Sequence, residues 1–138
     1  MDAESDQLSL SPRERIKRLY CEFKQPRSFE EDERLHRMTG YVIETEDAFV
    51  MGRPVKHDVP VEAIQSPHVK FPREVCDAWY IWAFAGNIKS LLEIVEVVGP
   101  LPLLGWSRRN GTIRWYPYEE TRRRVVGLGQ TLIVPRRT

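Results

Sequence analysis

Apolar residues recur along this chain in two rhythms. Between residues 11 and 39 they return at the helical spacing of three and four. From residue 41 they gather into short runs, and helical spacing returns at 88–98 and again near 118–126. Ser11-Pro12-Arg13-Glu14 spells a helix start: Ser11 suits the cap, proline suits the first helical position, and Glu14 completes a capping box. Ile16, Leu19, Tyr20 and Phe23 then form one apolar stripe that ends before Gln25-Pro26. Ser28-Phe29-Glu30-Glu31 repeats the box. Acidic residues fill the first turn and Arg34, His36 and Arg37 the last, which complements the helix dipole. With Gly40 as terminator, the pattern predicts a second helix over Phe29–Thr39, with Leu35 and Met38 facing inward.

Strand-like runs follow. Tyr41–Glu44 and Ala48–Met51 flank Thr45-Glu46-Asp47 as a β-hairpin. Gly52-Arg53-Pro54 is expected to end its second strand, with Gly52 in a backbone conformation closed to other residues and Arg53 reaching into the mouth of the sheet. Residues 54–77 hold Pro54, Pro60, Pro67 and Pro72. They read as a long connection with a helical turn at Val61–Ile64, and a loop of that length is often functional. Ala78–Ala85 is apolar on both faces, as a central strand would be. Asn87 leads into a helix over Ile88–Val98 that Gly99-Pro100 stops. Leu103–Arg108 and Thr112–Tyr116 surround Arg109-Asn110-Gly111. A two-residue Asn-Gly turn there sets Trp106 opposite Trp115, with Ile113 and Arg108 on their face and Ser107, Arg109, Thr112 and Arg114 on the other. A short helix, Tyr118–Val126, closes at Gly127, and Thr131–Val134 is suited to an edge strand.

The order is α-α-β-β-(long loop)-β-α-β-β-α. It predicts an α+β fold, a mostly antiparallel sheet of about five strands with three to four helices packed on it. The 138 residues suit one domain, expected over 11–134, with a flexible acidic arm at 1–10 and a basic tail at 135–138. A hydrophobic share of 41% and four tryptophans supply enough apolar surface for a core. Cys21 and Cys76 are too few for a disulfide framework and read as free thiols of a reducing compartment. The acidic N-terminus does not resemble a secretory signal and no run is long enough to span a membrane, so a cytoplasmic protein is expected.

Charge sharpens the picture. Residues 106–138 carry eight arginines against two glutamates, whereas residues 1–105 carry 13 basic and 18 acidic side chains. Arginine grips phosphate bidentately and stacks on aromatic rings. Arg108, Arg109, Arg114, Arg122, Arg123 and Arg124, with Trp106 and Trp115, are therefore the candidate surface for an anionic partner, either nucleic acid or an acidic protein surface. The plainer alternative makes the tryptophans core and the arginines a solvated face. Trp79 and Trp82 fall on opposite faces of the central strand, which leaves one face for a partner or a second copy.

Other constellations carry less. His36, His57 and His68 lack metal-site spacing, and no metal or cofactor is expected. His57, Asp58 and His68 could converge on Cys76 or Asp77 as a Cys/His nucleophilic pair, but an inert Cys76 and surface histidines are the favoured reading. Glu30, Glu31, Asp32 and Glu33 point in different directions on a helix and suit its N-terminus.

Arg124-Val125-Val126-Gly127-Leu128-Gly129 matches the Arg-x-x-Gly-x-Gly form of the coenzyme A loop of GNAT acyltransferases, but it follows a helix instead of a strand. The element order over residues 12–116 resembles the GNAT fold more broadly, with Asn87, the helix after it and the final hairpin similar to that family's C-terminal half. The family's first strand has no counterpart, and its central strand and pyrophosphate-binding helix would fall in residues 54–77. The resemblance implies an acyltransferase or its relic. With no catalytic constellation in view, the leading expectation is a non-enzymatic interaction module. The alternatives are the GNAT-like protein and an assembly protein that forms homo- or hetero-oligomers.

Overall fold

A computed structural model of the protein describes residues 10–23, 25–125 and 131–134. In chain order the elements are α1 (Pro12–Glu22), α2 (Phe29–Thr39), β1 (Tyr41–Glu44), β2 (Phe49–Val55), the one-turn α3 (Val61–Ile64) and a 3-10 turn (Arg73–Val75). Then come β3 (Ala78–Asn87), α4 (Ile88–Val98), β4 (Leu103–Ser107), β5 (Ile113–Pro117), α5 (Tyr118–Val125) and β6 (Thr131–Val134). The fold is α+β, with a six-stranded, mostly antiparallel sheet. Residues 1–9 of the acidic arm expected at 1–10, the Gly127 stop, the glycines of the Arg-x-x-Gly-x-Gly match and the tail at 135–138 lie outside the described residues.

The two N-terminal helices begin as their capping boxes dictate. Ser11 Oγ accepts from the Glu14 amide at 3.2 Å, and Ser28 Oγ from the Glu31 amide at 3.1 Å. β1, β2 and β3 form an antiparallel meander. β3 then crosses through α4 to a parallel neighbour, β4, which takes Ala78–Tyr80, while β6 takes Phe84–Asn87. As β2 occupies one edge of β3, β4 and β6 share the other, end to end.

A bulge in β3 decides what each face holds. Met51 pairs with Ala83 but Gly52 with Ile81, so Trp82 has no partner residue. Trp79, Ile81 and Phe84 consequently join the core beneath α4 and α5, with Leu91, Leu92, Val95, Trp106 and Tyr118. Tyr80, Trp82, Ala83 and Ala85 face the opposite way, toward α1, α2 and α3. Both faces of the central strand are thus covered by the chain's own helices.

Four local expectations are corrected. β2 does not end at Gly52 but runs through Arg53 and Pro54 to Val55. Positive φ falls on Gly86, Gly99 and Gly111 among the described residues, not on Gly52. The constraint at Gly52 is space, since a Cβ there would lie 3.0 Å from the Tyr80 carbonyl oxygen. The inner face of α2 is Phe29, Asp32 and His36, whereas Met38 is 67% exposed. The last hairpin turns on three residues, because Arg108 N donates to Thr112 O at 2.7 Å and Gly111 sits at φ +83°. That shifts the register by one, so Trp106 pairs with Arg114 and Gly105 with Trp115, and the two tryptophans lie on opposite faces.

Candidate binding cleft

The polar face of the sheet begins with Asp32. Its place on α2, one turn from Phe29, puts it inside, 2% exposed. A buried carboxylate is stable only when its oxygens are bonded. Oδ1 accepts from Arg27 Nε at 2.6 Å. Oδ2 accepts from the Tyr20 hydroxyl at 2.5 Å and from Trp82 Nε1 at 3.1 Å. Burial, then the Asp32 hydrogen bond, push the Tyr20 phenol above its ordinary pKa and keep it a donor. One carboxylate thereby ties α1, α2 and the bulged residue of β3 together.

Behind this cluster lie two buried basic side chains. His36 is wholly buried, with Nδ1 2.8 Å from the Asp32 carbonyl oxygen and Nε2 unpartnered. Burial, with the nearby Arg53 charge adding to it, lowers its pKa to about 4, so it is neutral at pH 7. Arg53, also wholly buried, caps α3 by donating from Nη2 to the carbonyls of Ala63 and Ile64, the former at 3.2 Å. Its guanidinium lies 5.9 Å from the Tyr80 ring centre, and Nε and Nη1 have no partner. Burial lowers its pKa to about 10, so it remains charged. The inner side of this face therefore carries a cation to which no carboxylate is bonded among the described residues.

Between α1, the α3 corner and the β4 end of the sheet opens a cleft of about 380 Å³, lined by Tyr20, Arg27, Gln65, Tyr80, Trp82 and Ser107, with Val134 of β6 beside them. That volume falls within the roughly 300–1,000 Å³ of small-ligand sites. Ser107 Oγ lies 2.5 Å from the Tyr80 hydroxyl and accepts from Gln65 Nε2 at 2.8 Å. The same Gln65 nitrogen donates to Gly111 O at 3.1 Å, which ties the β4–β5 turn to the cleft wall. The Arg27 guanidinium stands 5.6 Å from the Trp82 ring centre.

The arginines and tryptophans expected to act together are distributed around the molecule. Arg108 and Arg109 are exposed at the hairpin tip next to Ser107. Arg114 is exposed on β5, its guanidinium 5.0 Å from the Tyr116 ring centre. On α5, Arg122 pairs with Glu119 at 3.0 Å, Arg124 with Glu120 at 2.6 Å, and Arg123 donates to the Glu119 carbonyl at 3.3 Å. Trp106 is core, stacked on Tyr116. Trp115 is half-buried on the cleft's side of the sheet, 6.5 Å from the Tyr80 ring centre. The cleft residues Arg27, Gln65 and Ser107 carry no sequence motif. The signal that could have flagged this face is Asp32 and His36, polar residues in helical phase with Phe29.

The proline-rich connection brings His57 to Asp77 and not to Cys76. His57 Nδ1 lies 2.7 Å from Asp77 Oδ2, and the His57 amide donates to Oδ1 at 2.9 Å. The Cys76 thiol bonds to the Pro72 carbonyl at 3.2 Å, and burial raises its pKa, so it is not poised as a thiolate. His57, Asp58 and Asp77 place one ligand-type atom each within 4.8 Å of one another, but Lys56 engages Asp58 and His57 engages both oxygens of Asp77. Among the described residues no helix is long and apolar enough to cross a membrane. Comparison with protein families, with curated proteins and with solved structures finds no match in any of the three.

Proposed function

We propose that this protein is a non-enzymatic interaction module for an anionic partner, with single-stranded nucleic acid the first candidate. Its binding surface runs from the hairpin tip at Arg108 and Arg109 into the cleft beside Trp82. The observation that carries this reading is the double hydrogen bond of Gln65 to Ser107 and Gly111, which fixes the basic turn against the cleft. Arg27, ion-paired with Asp32 through Nε, offers its remaining guanidinium protons to the cleft, and Arg53 lies behind with no bonded carboxylate among the described residues. Arg122 and Arg124, engaged by Glu119 and Glu120, contribute less. A tryptophan-fluorescence titration with short single- and double-stranded nucleic acid at low and moderate salt tests it. Salt-sensitive binding, lost in the Arg108→Glu, Arg109→Glu double variant, is expected, because phosphate contacts release counterions. No binding at low salt overturns it.

One observation favours a second reading, a GNAT-like acyltransferase or its relic. β3 and β4 run parallel for three residue pairs around the α4 crossover, and beyond them that edge of β3 passes to β6. Against it, the first helical amides of α4 are partly occupied, since Asn87 Oδ1 accepts from Lys89 N at 2.8 Å. A thermal shift with acetyl-coenzyme A separates the two readings: stabilisation by the thioester favours the second, and its absence leaves the first.

A further inference from the structure

We infer that the cleft receives one unstacked base of a single nucleic-acid strand, an inference that rests on the anionic-partner reading and gives it a chemical specificity. Three groups with unspent hydrogen-bonding capacity line the cleft. The first is Arg27: among the described residues its hydrogen-bond partner is Asp32, through Nε, which leaves the Nη protons. The second is the Tyr80–Ser107 hydroxyl pair. Ser107 Oγ already accepts from Gln65, and the two hydroxyls share one proton across 2.5 Å, so one hydroxyl proton remains whichever of them donates. The third is Gln65. Its nitrogen donates to Ser107 Oγ and Gly111 O, which leaves its carbonyl oxygen as acceptor.

A planar heterocycle that carries ring carbonyls beside N–H groups matches a lining of two donors and one acceptor. Trp82, partly exposed, adds aromatic surface to the same wall, with the buried Tyr80 ring behind it. The phosphates on either side of such a base would run past the exposed Arg108 and Arg109 at the cleft's β4 end. A bare anion would accept from Arg27 and from the hydroxyl proton but leave the Gln65 carbonyl without a donor. A duplex would hold its bases out of reach, because their edges are already paired. Trp106 and Trp115 of the basic hairpin do not serve this role, since Trp106 is core and neither lines the cleft.

The test compares, on the wild-type protein at low salt, a short single-stranded oligonucleotide with an abasic strand of equal length and charge, read by tryptophan fluorescence. The base-bearing strand is expected to bind about tenfold more tightly or better, as stacking one base on an aromatic ring implies. Ser107→Ala, which removes one hydroxyl and releases Tyr80 and Gln65 from their fixed positions, is expected to reduce that difference. Equal affinity for the two strands overturns the base pocket and leaves the anionic-partner reading standing. No binding of either strand overturns both. A preference for bases that persists undiminished in Ser107→Ala, with the variant folded by circular dichroism, overturns the assignment of this cleft.

Discussion

The central strand β3 presents two faces built to different rules. Toward α4 and α5 it offers Trp79, Ile81 and Phe84, and among the described residues no buried charged side chain joins their core. Toward α1, α2 and α3 it offers Tyr80 and Trp82, and there the interior includes Asp32, His36 and Arg53. The first face maximises burial, each fully buried large side chain being worth about 1.5–3 kcal/mol. The second forgoes part of that gain. Desolvating three polar groups and leaving His36 Nε2 and two Arg53 nitrogens unpartnered costs free energy without improving packing. The two faces differ in kind: one is an apolar core, and the other joins its apolar clusters to a buried polar network beside the cleft.

Breaking the apolar face should cost most. Phe84→Ala removes a fully buried ring and is expected to destabilise by about 3–5 kcal/mol in urea denaturation. A loss below about 1 kcal/mol would mean that this face is not the principal core. The polar face should answer to pH. His36 has a folded-state pKa of about 4, below its ordinary value near 6.5, so its neutral form is favoured in the folded protein. Its contribution is intact above pH 6.5, falls as pH drops below that, and levels off near pH 4 after a loss on the order of 3 kcal/mol. His36→Gln, which cannot titrate, should flatten that part of the stability profile, and an unchanged profile would contradict the assignment. The smallest effect is expected at the turn that joins the cleft to the basic tip. Gly111→Ala meets no atom within 4 Å, so at φ +83° only backbone strain opposes it, worth about 1 kcal/mol by thermal unfolding.

Several element bounds were legible in the sequence. The bounds predicted for α2 and α4, and for the turn at Val61–Ile64, coincide with the observed elements, because capping residues and glycine or proline stops act locally. The polar face was not, for two physical reasons. A periodicity argument follows apolar residues, so it places Leu35 and Met38 inward and gives no signal that Asp32 and His36 are buried. Their burial depends on partners from α1, β2 and β3, which no local window contains. The bulge at Trp82 and the three-residue turn at Gly111 each insert one residue, and one residue is enough to exchange the faces of a strand. The latter is why Trp106 and Trp115, expected side by side, lie on opposite sides of the sheet. The arginine-rich end was visible from composition alone, but the intrahelical pairs of Arg122 and Arg124 needed coordinates.

The division between the faces can be read directly from the four tryptophans. Each indole N–H gives its own signal in a nitrogen-15 correlation spectrum, and a titration with a single-stranded oligonucleotide would report on all four at once. Trp82, whose Nε1 donates into the cleft's network, and Trp115, packed near Tyr80, should shift. Trp79, whose Nε1 donates to Gly99 O at 2.8 Å, and Trp106, buried in the apolar core, should stay in place. Shifts confined to Trp79 and Trp106, or none at saturating oligonucleotide, would contradict the account.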